Sequence, residues 1–251
     1  MARQVEWPEL TIVIPVAIDT PEREQNLTTV YCYLKKWLPT TKLSIVEAGP
    51  KQVLTEASFG EGEYSYIPLE RFNRSIALNY GFKKADTEFI ANYDTDVLFT
   101  PFQFRESKGL LKHYDFVFPY SGMFLKVQEP DRTKVIESLD VEFLDPKKLE
   151  VNHPNSLGGA IFARKLSYME ICYENPNFTS WGFEDNDRLN RIKLFGMTVT
   201  RANGSLFHLE HPQFQKDNKW YTDPYSSLNE ANKLAKMDAR QYRLYATWMD
   251  D

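Results

Sequence analysis

The sequence predicts an α/β fold, a mostly parallel sheet flanked by helices. Short β-branched apolar runs alternate with segments of helical spacing through the first hundred residues, the pattern of strand–helix–strand units. One such run, Phe89-Ile90-Ala91-Asn92-Tyr93, breaks directly into Asp94-Thr95-Asp96, and an open α/β sheet binds its ligand outside the carboxyl ends of its strands. No repeat, low-complexity tract or composition break divides the 251 residues, so a single domain is expected.

The first strand is Leu10-Thr11-Ile12-Val13-Ile14-Pro15-Val16, and Leu27, Val30, Tyr31, Leu34 and Trp37 then mark a helix over 23–37. Strands follow at 42–48 and 64–69, a helix at 73–84 and a strand at 88–93. Beyond the aspartates the pattern loosens. It predicts a helix at 101–113, a strand over 116–127 interrupted at Tyr120-Ser121-Gly122, and charged helices and loops over 128–155. Leu157-Gly158-Gly159-Ala160-Ile161-Phe162-Ala163 reads as a strand with close backbone approach at its glycines. Helices at 165–173 and 184–195, strands at 197–201 and 205–208, and a helical tail over 225–249 packed on the outside complete the chain.

Hydrophobic residues make up 42% and aromatics 14%, enough for a full core and against disorder. A net charge of −5 without Lys/Arg-rich runs gives no nucleic-acid surface. Cys32 and Cys172 lack metal-ligand spacing and read as reduced, packed thiols. Neither a signal-peptide core nor a membrane-length apolar run is seen, so a soluble, cytoplasmic protein is expected. The sequons at Asn26, Asn73, Asn177 and Asn203 are then chance matches.

Four constellations carry chemistry. Asp94 and Asp96 can hold a divalent cation, although capping and turn aspartates look the same. Trp181-Gly182-Phe183-Glu184-Asp185-Asn186-Asp187 places acids at a helix start, where they complement the macrodipole; with the indole they also suit a sugar ring and the proton of its hydroxyl. Phe207-His208-Leu209-Glu210-His211-Pro212 supplies imidazoles after a strand, either packing groups or ligands for an ion such as Mn²⁺. In Arg71-Phe72-Asn73-Arg74-Ser75 a helix opens with arginines suited to phosphate and a phenylalanine suited to a base or to the core.

The order of these motifs resembles that of β-1,4-galactosyltransferases. Phe72-Asn73-Arg74-Ser75-Ile76-Ala77-Leu78-Asn79-Tyr80-Gly81-Phe82 is similar to their Phe-Asn-Arg-Ala-x-x-Leu-Asn-x-Gly-Phe segment, and Asp94-Thr95-Asp96 to their Asp-x-Asp. Residues 181–187, continued by Arg191-Ile192-Lys193-Leu194-Phe195-Gly196-Met197, resemble their Trp-Gly-Gly-Glu-Asp-Asp-Asp helix and Arg-Leu-x-x-x-Gly-Met continuation. The 207–212 element resembles the Tyr-His-x-x-x-Pro of family 2 chondroitin-polymerase-type transferases. The resemblance covers about residues 11–211 and implies a GT-A glycosyltransferase fold: a Rossmann-like nucleotide-sugar-binding half over about 1–100, an acceptor- and metal-binding half over about 101–215, and a helical extension at 216–251.

It further implies a UDP-sugar donor, a carbohydrate or other hydroxyl acceptor, and Mn²⁺ or Mg²⁺ as cofactor. Pro15, Val16, Glu47, Phe72, Arg74, Asp94, Thr95 and Asp96 would meet the nucleotide-sugar; Trp181, Gly182 and Asp187 the acceptor. Asp96 and His208, with Asp94 and His211, would hold the metal; Asp185, beside Glu184, would be the general base of an inverting transfer of a hexose or N-acetylhexosamine. Three departures stand out: Ala17 and Ile18 where the family has an arginine after the first proline, Phe183 for glycine, and Asn186 for aspartate. A retaining transferase or a non-catalytic glycan-binding protein on the same fold are the alternatives.

Overall fold

The computed structural model describes residues 3–179, 182–212 and 225–246. Among the described residues seven strands form the main sheet, in the order β10-β6-β9-β4-β1-β2-β3. They are β1 (Leu10–Val16), β2 (Lys42–Gly49), β3 (Tyr64–Pro68), β4 (Phe89–Tyr93), β6 (Phe116–Phe118), β9 (Ala160–Arg164) and β10 (Val199–Arg201). All neighbours run parallel except β9, which lies antiparallel between β4 and β6. The mostly parallel α/β fold expected from the sequence is therefore what the chain adopts.

The central strands are apolar because helices cover them. Every residue of β1 is buried, and α1 (Pro21–Trp37) follows it with Leu27, Val30, Leu34 and Trp37 turned inward. Thr20 caps α1 by accepting from the Arg23 N–H, and Pro21 fills its first turn. Asn73 caps α2 (Arg74–Lys84) by accepting from Ile76 N–H. This helix lies so close to β1 that a Cβ on Gly81 would come 2.4 Å from a Val13 methyl carbon.

A second sheet, which the sequence did not reveal, has the order β5-β11-β7-β8: β5 (Val97–Leu98), β7 (Phe124–Val127), β8 (Glu150–His153) and β11 (Leu206–Leu209). The expected strand at 116–127 thus divides between two sheets, and the 128–155 region contains β8 besides α4 (Asp131–Ser138). The tail is helical among its described residues, forming α7 (Ser226–Leu234) and α8 (Ala239–Ala246). Between these lie α3 (Pro101–Leu110), α5 (Lys165–Glu170) and α6 (Glu184–Leu194).

One apolar cluster spans residues of both halves, from Val5 to Leu209, and a small one joins α7 and α8 to Phe178 through Leu234, Tyr242 and Tyr245. Among the described residues Cys32 and Cys172 form no disulfide. Asn26 is fully buried and donates to the Leu209 carbonyl. Among the described residues no helix is long and apolar enough to cross a membrane.

Candidate active site

The Asp-x-Asp segment is the turn by which the chain leaves β4 in one sheet and enters β5 in the other. Asp94 N–H donates to the Gly159 carbonyl at the start of β9, which pins the turn to the main sheet. Gly159 has φ +86, and a Cβ there would strike Leu206, so glycine is required. On the other side, β11 pairs antiparallel with β5, placing His208 opposite Val97, and Leu209 N–H donates to the Asp96 carbonyl at 2.8 Å.

That register brings three ligand-bearing side chains together. Asp96 Oδ2 lies 3.1 Å from His211 Nε2 and 3.7 Å from His208 Nε2, and one ligand atom from each residue falls within 4.8 Å of the others. Burial would push the Asp96 carboxyl up, but the two imidazoles outweigh it and hold it well below the usual carboxylate range. The His208 ring packs edge-on against Phe124, and its Nδ1 faces the Glu210 carboxylate at 3.8 Å. A carboxylate behind a ligating imidazole is a common orienting arrangement in metal sites. One oxygen and two nitrogen donors, nearly buried and mutually close, fit a borderline divalent cation. Asp94, expected to share the metal, lies outside this group.

Asp94 instead faces α2. Its Oδ1 accepts from Arg74 Nη2 at 2.5 Å and Nε at 3.2 Å, while Nη2 also donates to Asn92 Oδ1 at 2.9 Å. Arg74 interacts electrostatically with Glu184 and Asp185, and Asp94 with Asp96 and Asp185. The arginine, the acid pair and the start of α6 therefore share one electrostatic environment.

Phe183, where the resembled family has glycine, enters α6 in the left-handed region at φ 71. At the helix start Asp185 Oδ1 is 2.8 Å from Arg188 Nη1. Its Oδ2 faces Gly158, where a Cβ would come within 2.8 Å, so the glycine leaves room for that oxygen. Burial, then the neighbouring Asp185 charge, pushes Glu184 up to about 7. Glu184 is thereby close to half-protonated near neutral pH.

Other residues expected at the site have partners within the protein or lie in its core. Asp187 turns inward, its Oδ2 2.8 Å from Arg191 Nε, and is 6% exposed. Glu47 is 2% exposed and accepts from Val53 N–H, Leu54 N–H and the Tyr64 hydroxyl, which fixes the loop after β2. Pro15 and Val16 end β1 fully buried, Thr95 is buried in the turn, and Phe72 is half-buried against the core. Gly182 has φ +97, and Trp181 lies outside the described residues. Arg23, the nearest basic residue to the first strand, pairs with Asp19 at 2.7 Å.

Sequence reasoning missed Arg188 and Glu174, two 1%-exposed residues whose charges meet behind Asp185. Glu174 comes from an irregular turn, and no local periodicity marks it.

Comparison with known proteins agrees with this architecture. The catalytic domain of Drosophila β1,4-galactosyltransferase 7, solved in complex with xylobiose, superposes with TM-score 0.52 at 18% identity over 92% of this chain and 82% of that one. Residues 1–349 of S. aureus TarS, solved with UDP-GlcNAc, superpose with TM-score 0.58 at 13% identity over 93% and 69%. The chain has a GT-A glycosyltransferase fold. In sequence, a family model described as the N-terminal domain of galactosyltransferase matches residues 141–212 of this GT-A chain, the part carrying Asp185, His208 and His211. Mouse β-1,4-galactosyltransferase 7 is 26% identical over 155 residues, 58% of this chain, and the human protein matches to the same extent. The match spans 39% of the length of those relatives. The resemblance seen in the motif order is thus also present in sequence over 58% of the chain and in the fold.

Proposed function

We propose that this chain is a metal-dependent, inverting glycosyltransferase that moves a hexose or N-acetylhexosamine from a UDP-sugar to a hydroxyl acceptor. The observation carrying this reading is the convergence at the β4–β5 turn of three elements: the Asp96, His208 and His211 group, the Arg74–Asp94 pair and the Glu184–Asp185 helix start. Relatives solved with a nucleotide-sugar and with a disaccharide support the substrate classes.

Asp96, His208 and His211 would hold Mn²⁺ or Mg²⁺, which neutralises the charge developing on a departing diphosphate. Arg74 remains protonated against Asp94 and fixes the first acid of the pair, leaving the second to the imidazoles. Asp185, paired through Oδ1 and open at Oδ2, takes the proton of the acceptor hydroxyl as that oxygen attacks the anomeric carbon. Glu184, pushed up by burial and by the Asp185 charge, is close to half-protonated at neutral pH. A single displacement inverts the anomeric centre.

The test is a panel of UDP-sugars with Mn²⁺, read for donor hydrolysis and transfer, with product configuration determined by NMR. Transfer lost in Asp96→Ala and Asp185→Asn, with an inverted product, is expected. A retained configuration removes the base role of Asp185, and a protein that binds glycans but turns over no UDP-sugar is a binding protein.

A further inference from the structure

We propose that Arg188 is a positioning residue that relays the buried Glu174 carboxylate to Asp185, fixing Asp185 Oδ1 so that Oδ2 faces the acceptor. The inference rests on the transferase reading above.

Glu174 is anchored from two elements before Arg188 reaches it. Asn79 of α2 brackets its backbone, donating to its carbonyl at 2.8 Å and accepting from its N–H at 2.9 Å, and the Tyr168 hydroxyl of α5 donates to Oε1. Arg188 Nε donates to the same Oε1 at 2.6 Å, with both side chains 1% exposed. A guanidinium is a rigid fork, so fixing one edge fixes the direction of the other. That other edge brings Nη1 to 2.8 Å from Asp185 Oδ1, a close ion pair without hydrogen-bond alignment. Asp185 sits one turn before Arg188 on α6, so the helix alone would let its side chain swing. The anchored cation stops this.

Oδ1 is buried against Arg188 while the Asp185 side chain stays 24% exposed, so its accessible side is that of Oδ2, next to Gly158. A base must present its accepting oxygen within hydrogen-bond reach of the proton it removes. Arg188 also keeps positive charge against that base. The charged and titratable groups around Asp185 are Glu184 and Arg188 on α6, Arg74 on α2, Asp94 at the end of β4, and Tyr120 after β6. Tyr120 donates to the Gly158 carbonyl and so holds the glycine that Oδ2 faces.

The decisive variant is the double replacement Glu174→Gln with Arg188→Met, which removes both charges of the pair together, while Arg191, 3.8 Å from Glu174 Oε2, keeps its ion pair with Asp187. With UDP-sugar and acceptor, kcat is expected to fall about tenfold or more, donor KM to stay within about twofold, and the acid limb of the kcat/KM profile to move to higher pH. A merely structural role lowers thermal stability without moving that limb; an unmoved limb overturns the proposal. Glu174→Gln alone leaves Arg188 to Asp185, so its limb must stay or move to lower pH. A move upward overturns the proposal even if the double variant does not fold. The carboxyl ¹³C resonance of Asp185, followed against pH in the wild type and the double variant, gives the answer without turnover. A shift to higher pH there, in a protein that transfers no sugar, leaves the Arg188 linkage standing and rejects the transferase reading instead.

Discussion

Arg74 Nη2 stands 2.5 Å from Asp94 Oδ1, and this contact divides the labour of the Asp-x-Asp turn: the first acid is held by α2, the second is left to the histidines of the second sheet. Replacing Arg74 by Met leaves a half-exposed Asp94 without its cation and removes a bifurcated hydrogen bond. We expect a loss of about 1.5–3 kcal/mol in urea unfolding, the range for hydrogen bonds to charged groups, together with at least about a tenfold drop in transfer rate, since the positive charge beside the acid pair is lost. Unchanged unfolding and kinetics would show that the pair is incidental.

Asp96→Asn should abolish stabilisation by a divalent cation. In the wild type, Mn²⁺ at about 100 times its dissociation constant should add about 2.7 kcal/mol to apparent stability by mass action. The variant, with an amide in place of the one anionic ligand, should show no Mn²⁺-dependent rise in melting temperature. His208→Ala and His211→Ala should each weaken it. A shift that persists in all three variants would place the cation elsewhere.

Glu184 provides a pH signature. Its folded-state carboxyl sits at about 7 against an ordinary 4.5, so between those values the native protein holds a proton that the unfolded chain has released. The group therefore favours folding fully only below about 4.5, and its contribution falls as pH rises toward 7 and is lost above it. Glu184→Gln should flatten the decline in stability across that window. Denaturant midpoints of both proteins at several pH values decide this; parallel curves would mean that the Glu184 proton does not couple to folding.

Gly81→Ala tests the α2–β1 contact. Alanine normally gains about 1 kcal/mol over glycine in a helix interior, but here its methyl would lie 2.4 Å from a Val13 methyl carbon at the heart of the sheet. Overpacking of this kind costs about 1–3 kcal/mol, so net destabilisation is expected. The companion Val13→Ala should relieve it, which a double-mutant cycle would read directly.

Much of the main sheet was legible because burial on both faces writes apolar runs into β1 and β4, and because Asn73 advertises a helix start. The second sheet was not. Its β5 is two residues long and every residue of β8 is exposed, so neither carries a periodic pattern. In the site, the identities of Asp96, His208, His211 and Asp185 were readable as motif chemistry, but their partners were not. Asp187 sits four residues before Arg191, a spacing that already pairs them on one helix face. Glu47 and Glu174 are committed to groups brought by separate elements, Tyr64 and Arg188, and only the folded chain reveals which acids are already engaged.

The seam between the sheets has a consequence for how the molecule is made. Asp96 and His211 are 115 residues apart, and β11, which carries one histidine and leads to the other, pairs directly with β5 and β7. During synthesis the aspartate emerges long before its imidazoles, so a nascent chain shows an acid pair but no ligand set. The capacity to hold a cation at this turn therefore arrives only when the second sheet has closed, and tight cation capture marks a chain that has finished that closure.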